Sequence, residues 1–71
     1  MTKEEIITQI KIIEEADLAC DSESAHAAED KLRADFIRYV STPKGMRDET
    51  LNAKALLVLS TNKMPFNRWC A

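Results

Sequence analysis

The chain has 71 residues, of which 45% are hydrophobic, with one glycine and two prolines, a composition that predicts one compact domain (1–71). A chain this small buries about 60% of the surface that its unfolded form exposes, so a second copy, another partner or a metal would add stability. The net charge of -2 and 6% aromatic content argue against a nucleic-acid groove. No apolar run reaches the roughly 20 residues of a membrane span, and we expect a cytoplasmic protein with free cysteines.

The charge is divided unevenly along the chain. Residues 1–30 carry nine acidic and two basic side chains, a net charge of -7, whereas residues 31–71 carry eight basic and three acidic ones, a net charge of +5. Halves of opposite sign attract each other within a fold and across a dimer interface.

The first predicted helix begins at a capping box formed by Thr2 and Glu5. One stripe of this helix holds the residues at i, i+4, i+7, i+11 and i+14, with Ile7 and Ala16 beside it. These residues are Ile6, Ile10, Ile13, Asp17 and Cys20. Asp17 is the one charged residue on that apolar stripe, so it needs a separate explanation.

A second helix is predicted to begin directly after the first, capped by Asp21 or Ser22. Its core stripe, which Ile37 and Val40 extend, consists of Ala25, Ala28, Leu32, Phe36 and Tyr39. Two amphipathic helices joined by so short a turn predict an antiparallel hairpin.

Pro43 and Gly45 mark a break after the second helix. A third helix follows, capped by Asp48 or Thr50, and we expect Asn62 to take the left-handed position at its end. The core stripe of this helix contains Leu51, Ala55, Val58 and Leu59, with Leu56 and Leu57 beside it. The predicted fold is therefore all-α, a small three-helix domain of a helical hairpin, a third helix and a docked C-terminal tail.

Acidic residues and the single histidine could converge on the hairpin. Asp17 and His26 lie at similar distances from the turn, Asp30 follows His26 by one helical turn, and Glu14 precedes Asp17 by one. Carboxylates with one imidazole suit Mg²⁺ or Mn²⁺ better than structural zinc. The alternative is a polar layer in which carboxylates hold His26 and fix the register of the hairpin.

Acidic side chains on facing helices resemble those of the all-α nucleotide pyrophosphohydrolases. Those enzymes carry two full acidic pairs, whereas this chain has one Glu-x-x-Asp pair and His26-x-x-x-Asp30. The resemblance implies divalent-metal binding with nucleotide or phosphoester chemistry. The chain has no Gly-rich phosphate loop and no Ser/His/Asp arrangement, and we favour a protein that is not an enzyme.

The C-terminal tail has two interpretations. Phe66 and Trp69 either plug the core or form an exposed anchor that binds a partner protein. Arg68 beside them favours the anchor, since tryptophan and arginine are common at interface hot spots.

Two segments resemble small uncharacterised proteins of tailed bacteriophages and prophages. The first is Asp21-x-Glu23-x-Ala25-His26-x-x-x-Asp30-x-Leu32, and the second is the C-terminal Arg68-Trp69-Cys70-Ala71. This chain departs from that pattern at Cys70, where an aromatic residue is usual, and in the longer connection at residues 41–49. The resemblance implies a phage-type accessory protein.

Three hypotheses on function follow. The first is a homodimeric protein that acts in the bacterial cytoplasm by binding and modulating a host protein, such as a component of antiviral defence. The second is the divalent-cation site at Glu14, Asp17, His26 and Asp30. The third is a sponge for a small nucleotide signal, formed between protomers by Arg33, Arg38 or Arg47.

Overall fold

The computed structural model describes residues 1–68. Its helices are α1 Lys3–Leu18, α2 Ser22–Val40, α3 Pro43–Met46, α4 Leu51–Leu59 and the 3₁₀ helix Ser60–Lys63. Residues 1–68 contain no strand, so the predicted all-α class is confirmed. Helix α1 packs along α2, and α4 lies against both, which confirms the predicted hairpin and the helix that covers it.

The predicted capping box begins α1. The Thr2 side chain accepts a hydrogen bond from the Glu5 amide at 3.1 Å, and the Glu5 carboxylate accepts one from the Thr2 amide at 3.0 Å. The core that α1 helps to form holds three isoleucines from α1, two residues from α2, one from α4 and one from the tail. These are Ile6, Ile10, Ile13, Ala25, Leu32, Val58 and Phe66.

A Schellman motif ends α1. The Cys20 amide donates to the carbonyl of Asp17 at 3.0 Å, and the Asp21 amide donates to the carbonyl of Ala16 at 2.9 Å. Cys20 takes the left-handed conformation with φ 58°, and within residues 1–68 it is the one non-glycine residue with a positive φ. The thiol is exposed, so its predicted place on the core stripe was wrong.

The predicted break after α2 contains a one-turn helix that the sequence prediction missed. The Thr42 side chain accepts a hydrogen bond from the Gly45 amide at 3.0 Å, and Pro43 occupies the first turn, where a missing amide hydrogen is tolerated. Gly45 is buried against the end of α2, where a Cβ atom would lie 1.9 Å from the carbonyl oxygen of Tyr39. Only glycine allows the two backbones to approach this closely.

Helix α4 begins at Leu51 and passes directly into the 3₁₀ helix. Thr50, one of its two predicted caps, occupies the N-cap position, but its side chain makes no capping hydrogen bond. Asn62 belongs to that 3₁₀ helix and has no positive φ, so its predicted left-handed conformation was wrong. The chain then returns to α2, where Phe66 is buried and the Asn67 amide donates to the Ser22 hydroxyl at 3.3 Å. The docked tail is thus confirmed as far as residue 68.

Candidate functional site

The predicted cluster of acidic residues and histidine is only partly assembled. His26 Nε2 lies 3.3 Å from Asp30 Oδ2, as their spacing on one helix predicts, and the Asp30 side chain is 63% exposed. Glu14 is exposed and Asp17 is half-buried. The charge of Asp17 acts on Arg68: hydrogen bonds to Glu29 are the main cause of the raised pKa of Arg68, and Asp17 adds to it.

No three side chains of the Asp, Glu, His or Cys type lie together so as to hold a metal ion within residues 1–68, which include all four predicted ligands. The structure brings together His26 and Asp30 alone of that set. The Mg²⁺ or Mn²⁺ site, and the phosphoester chemistry built on it, stay sequence-based predictions.

A buried carboxylate instead lies one helical turn after His26, on the core side of α2. Glu29 is 1% exposed, and both of its oxygens are paired with Arg68. Arg68 Nε donates to Oε1 at 2.8 Å and Nη2 donates to Oε2 at 2.9 Å, while Arg33 Nη2 lies 3.5 Å from Oε2. Burial raises the pKa of Glu29, but hydrogen bonds from Arg68 and Thr61 and the charge of Arg33 outweigh burial and hold the pKa below its ordinary value. Glu29 is therefore an ionised, structural carboxylate.

Arg68 also forms hydrogen bonds with other residues of the C-terminal segment. Its guanidinium donates to the carbonyls of Thr61, Met64 and Phe66 at 3.0, 3.1 and 3.3 Å, and it stacks 3.9 Å from the centroid of the Phe66 ring. Phe66 is thus buried in the fold, as in the core-plug alternative, and Arg68, whose place in the sequence favours the anchor, is paired within the fold. Trp69 lies outside the described residues. The partner-binding role of the three stays a prediction.

A second charged cluster holds the start of α4 against the end of α2. The Asp48 carboxylate accepts hydrogen bonds from the Lys54 ammonium, the Tyr39 hydroxyl, and the amide and hydroxyl of Thr50, the last two at 2.8 and 2.6 Å. The hydrogen bond from Lys54 is the main cause that holds the pKa of Asp48 far below its usual range. The hydrogen bond that the Tyr39 hydroxyl donates to Asp48 raises the pKa of Tyr39. Lys54 itself is 9% exposed.

The arginines proposed for a nucleotide site do not meet within one chain. Arg33 lines a depression between α2 and α4, Arg38 lines one beside α1, and Arg47 lines a third next to Lys44. Arg33 is also paired with Glu29, and Arg38 is paired with Asp35. A phosphate site formed between protomers stays a prediction.

An apolar groove runs between α2 and α4, and we call it the α2–α4 groove. Its walls are Arg33, Phe36, Ile37, Ala55, Val58 and Leu59. It continues past Phe36 and Ala55 into a depression that Glu49 borders. Ile37 and Leu59 were predicted to belong to the core stripes, yet they are 68% and 54% exposed.

Sequence reasoning overlooked both buried charges. Glu29 follows Ala25 by four residues and precedes Leu32 by three, and Lys54 follows Leu51 by three and precedes Val58 by four, so each occupies a core position of its helix. A charge at a core position was the available signal. Its partner could not be read from the sequence, because Arg68 lies 39 residues from Glu29.

Comparisons of the chain with protein-family models, with curated proteins and with solved structures give no significant match. None of the helices within residues 1–68 has both the length and the apolar character that a bilayer-spanning helix needs.

Proposed function

We propose that this chain is a non-enzymatic interaction protein that binds and modulates a bacterial host protein. The observation that carries the proposal is the apolar surface that the chain leaves open. Within residues 1–68, seven large apolar side chains are exposed, as many as there are apolar residues in the buried core. They are Ile7, Ile12, Leu18, Ile37, Met46, Leu56 and Leu59. Large apolar side chains that are exposed in this number on a small chain favour a protein interaction site.

The host protein contacts α1 in this proposal. Ile7 and Leu18 are separated by eleven residues, about three helical turns, so they lie on one stripe of the helix. They are 42% and 83% exposed, and Lys11 and Glu14 lie between them. A helix that presents apolar side chains at helical spacing, with charges beside them, suits an apolar groove on a partner.

The nature of the partner rests on the resemblance to tailed-phage and prophage proteins at residues 21–32 and 68–71. A phage-type accessory protein works in the cytoplasm of the infected bacterium, where a component of antiviral defence is a suitable target. We propose that the chain acts there as a homodimer and as an inhibitor of that target.

The test is affinity capture from a bacterial lysate, with wild-type protein and the Ile7→Glu/Leu18→Glu variant as parallel baits. Ile12→Glu is the matched control, because Ile12 is 52% exposed on another stripe of α1. We expect at least one bacterial protein to be enriched about tenfold or more on wild type and on Ile12→Glu, relative to the double variant. If wild type enriches no protein over the double variant, the proposed function is wrong.

A further inference from the structure

The α2–α4 groove is an apolar surface that the chain itself does not cover. Ile37 on α2 and Leu59 on α4 stand at its rims, and Leu56 extends the apolar surface along α4 by one turn. Each of the three side chains is more than half exposed. Because α2 and α4 are already held together by the charged clusters, the groove is preformed and no rearrangement is needed to present it.

The two ends of the groove carry opposite charges. At one end Arg33 lines the groove and donates a hydrogen bond to Asn62, and the exposed Lys63 is the next residue of the 3₁₀ helix. At the other end Glu49 borders the depression that continues the groove. Asp48 also lies there, but Lys54 neutralises it, so Glu49 supplies the acidic charge.

We propose that a second copy of this chain covers the α2–α4 groove, in a twofold-symmetric dimer whose two grooves run antiparallel. This inference rests on the homodimer included in the proposed function and names the surface that forms it. A twofold interface requires a patch that is complementary to itself. An apolar centre with a basic end and an acidic end meets that requirement only in the antiparallel arrangement, where Glu49 of each copy faces Lys63 and Arg33 of the other.

The dimer would be a four-helix arrangement built from α2 and α4 of both copies, a common way for helical hairpins to bury an apolar face. A stable interface buries about 800 Å² of each partner. That is about one sixth of the 4952 Å² of accessible surface of this chain. In this arrangement the Ile7 and Leu18 stripe of α1 stays free for the host protein.

The first test is sedimentation equilibrium on the purified full chain. We expect wild type and Ile12→Glu to have twice the chain mass of 8.0 kDa, and Leu59→Glu to have the mass of one chain. Circular dichroism checks that each variant is folded. A monomeric wild type at about 1 mM would overturn the proposal, and so would a dimeric Leu59→Glu, since that dimer would use another surface.

A charge exchange tests the antiparallel arrangement. Glu49→Lys alone and Lys63→Glu alone should each weaken dimerisation about tenfold or more, because like charges then meet at both ends of the interface. The double variant should restore most of the wild-type affinity. Single variants that dimerise as wild type does, or a double variant without recovery, would overturn the arrangement. The measurement uses pure protein, so its failure leaves capture of a host protein intact, and failure of the capture leaves the dimer intact.

Discussion

The contact between α2 and the segment from α4 to the tail is held by charged clusters at both ends, whereas its middle is exposed to solvent. At one end Glu29 is 1% exposed and held by Arg68, and at the other Asp48 is held by Lys54 and Tyr39. Between these charged clusters lies the α2–α4 groove, whose apolar rims are mostly exposed.

The charged ends and the apolar middle of this contact have different roles. Hydrogen-bonded ion pairs are directional, so two of them at the ends of the contact fix α4 and the tail on α2 in one register. Apolar contact is not directional, and the middle of the interface can therefore accept another chain without any change at the ends. We expect substitutions at the ends to change folding stability and substitutions in the middle to change association.

The largest expected effect is that of Arg68→Ala. This variant leaves the Glu29 carboxylate buried without its main partner, which we expect to cost about 3 kcal/mol of folding stability. The value is at the low end of the range for a broken buried ion pair, because Arg68 is 31% exposed and water can replace its side chain. In a domain of this size, each kcal/mol lowers Tm by about 4–8 °C. Thermal unfolding by circular dichroism measures the loss.

Two further variants show whether the buried charge is the cause. Arg38→Ala removes an arginine whose side chain is 75% exposed and should cost less than about 1 kcal/mol. The double variant Glu29→Met/Arg68→Met should recover much of the stability lost in Arg68→Ala, because no charge is then left unpaired. Equal Tm values for Arg38→Ala and Arg68→Ala would contradict the role given to Glu29.

At the other end, close backbone packing contributes as well as charge. Gly45→Ala should cost about 2 kcal/mol, since the added methyl group would meet the Tyr39 carbonyl oxygen and force α3 away from α2. Lys44→Ala, at the exposed preceding position, is the control and should change stability little. Urea unfolding of both variants measures the difference, and similar midpoints would refute the packing argument.

The turn between α1 and α2 has a strained residue, and relieving the strain should stabilise the fold. Cys20→Gly should add about 1 kcal/mol, because glycine adopts a positive φ without the penalty that a side chain brings. Cys20→Ala removes the thiol and keeps the penalty, so it should leave the urea midpoint close to that of wild type. If both variants have the same midpoint, φ at residue 20 does not limit stability.

The smallest effect near neutral pH concerns titration of Glu29. Its pKa lies below the ordinary value of 4.5, so the unfolded chain binds a proton first as the pH falls. The stability that ionised Glu29 contributes is complete above that ordinary value and is lost as the pH falls through the lower, native pKa. Unfolding free energies of wild type and Glu29→Gln should differ by a constant amount from about pH 7 to pH 5.5 and converge below about pH 4. A difference independent of pH would show that Glu29 does not titrate as described.

Local patterns were enough to predict the hairpin and the Thr2 cap, because each depends on spacing within a few residues. The docking of the tail was predicted from its apolar residues, but its contacts with Ser22 and Glu29 were not, because they join residues 39 or more positions apart. The one-turn helix α3 was missed because proline and glycine usually mark a break, although here Pro43 begins a turn of helix and Gly45 lets it touch α2. The left-handed position was assigned to Asn62 by propensity, whereas the short turn required it at Cys20.

The sites depended more on tertiary contacts. The spacing of His26 and Asp30 placed them together. The arginine that pairs with Glu29, Arg68, belongs to a tail that hairpin geometry alone does not position. The α2–α4 groove could not be predicted because its rim residues, Ile37 and Leu59, have the same periodicity as core residues. Whether such residues are buried depends on how α4 packs against α2.

The central claim is that the charged ends hold the fold while the open groove holds another chain. It is tested most directly by the dependence of the unfolding midpoint on protein concentration, from about 2 µM to about 500 µM, for wild type and Leu59→Glu. We predict that Tm of wild type rises by several degrees over this range, because dimerisation stabilises the folded state by mass action, and that Tm of Leu59→Glu stays constant. A wild-type Tm that does not change with concentration would contradict the claim.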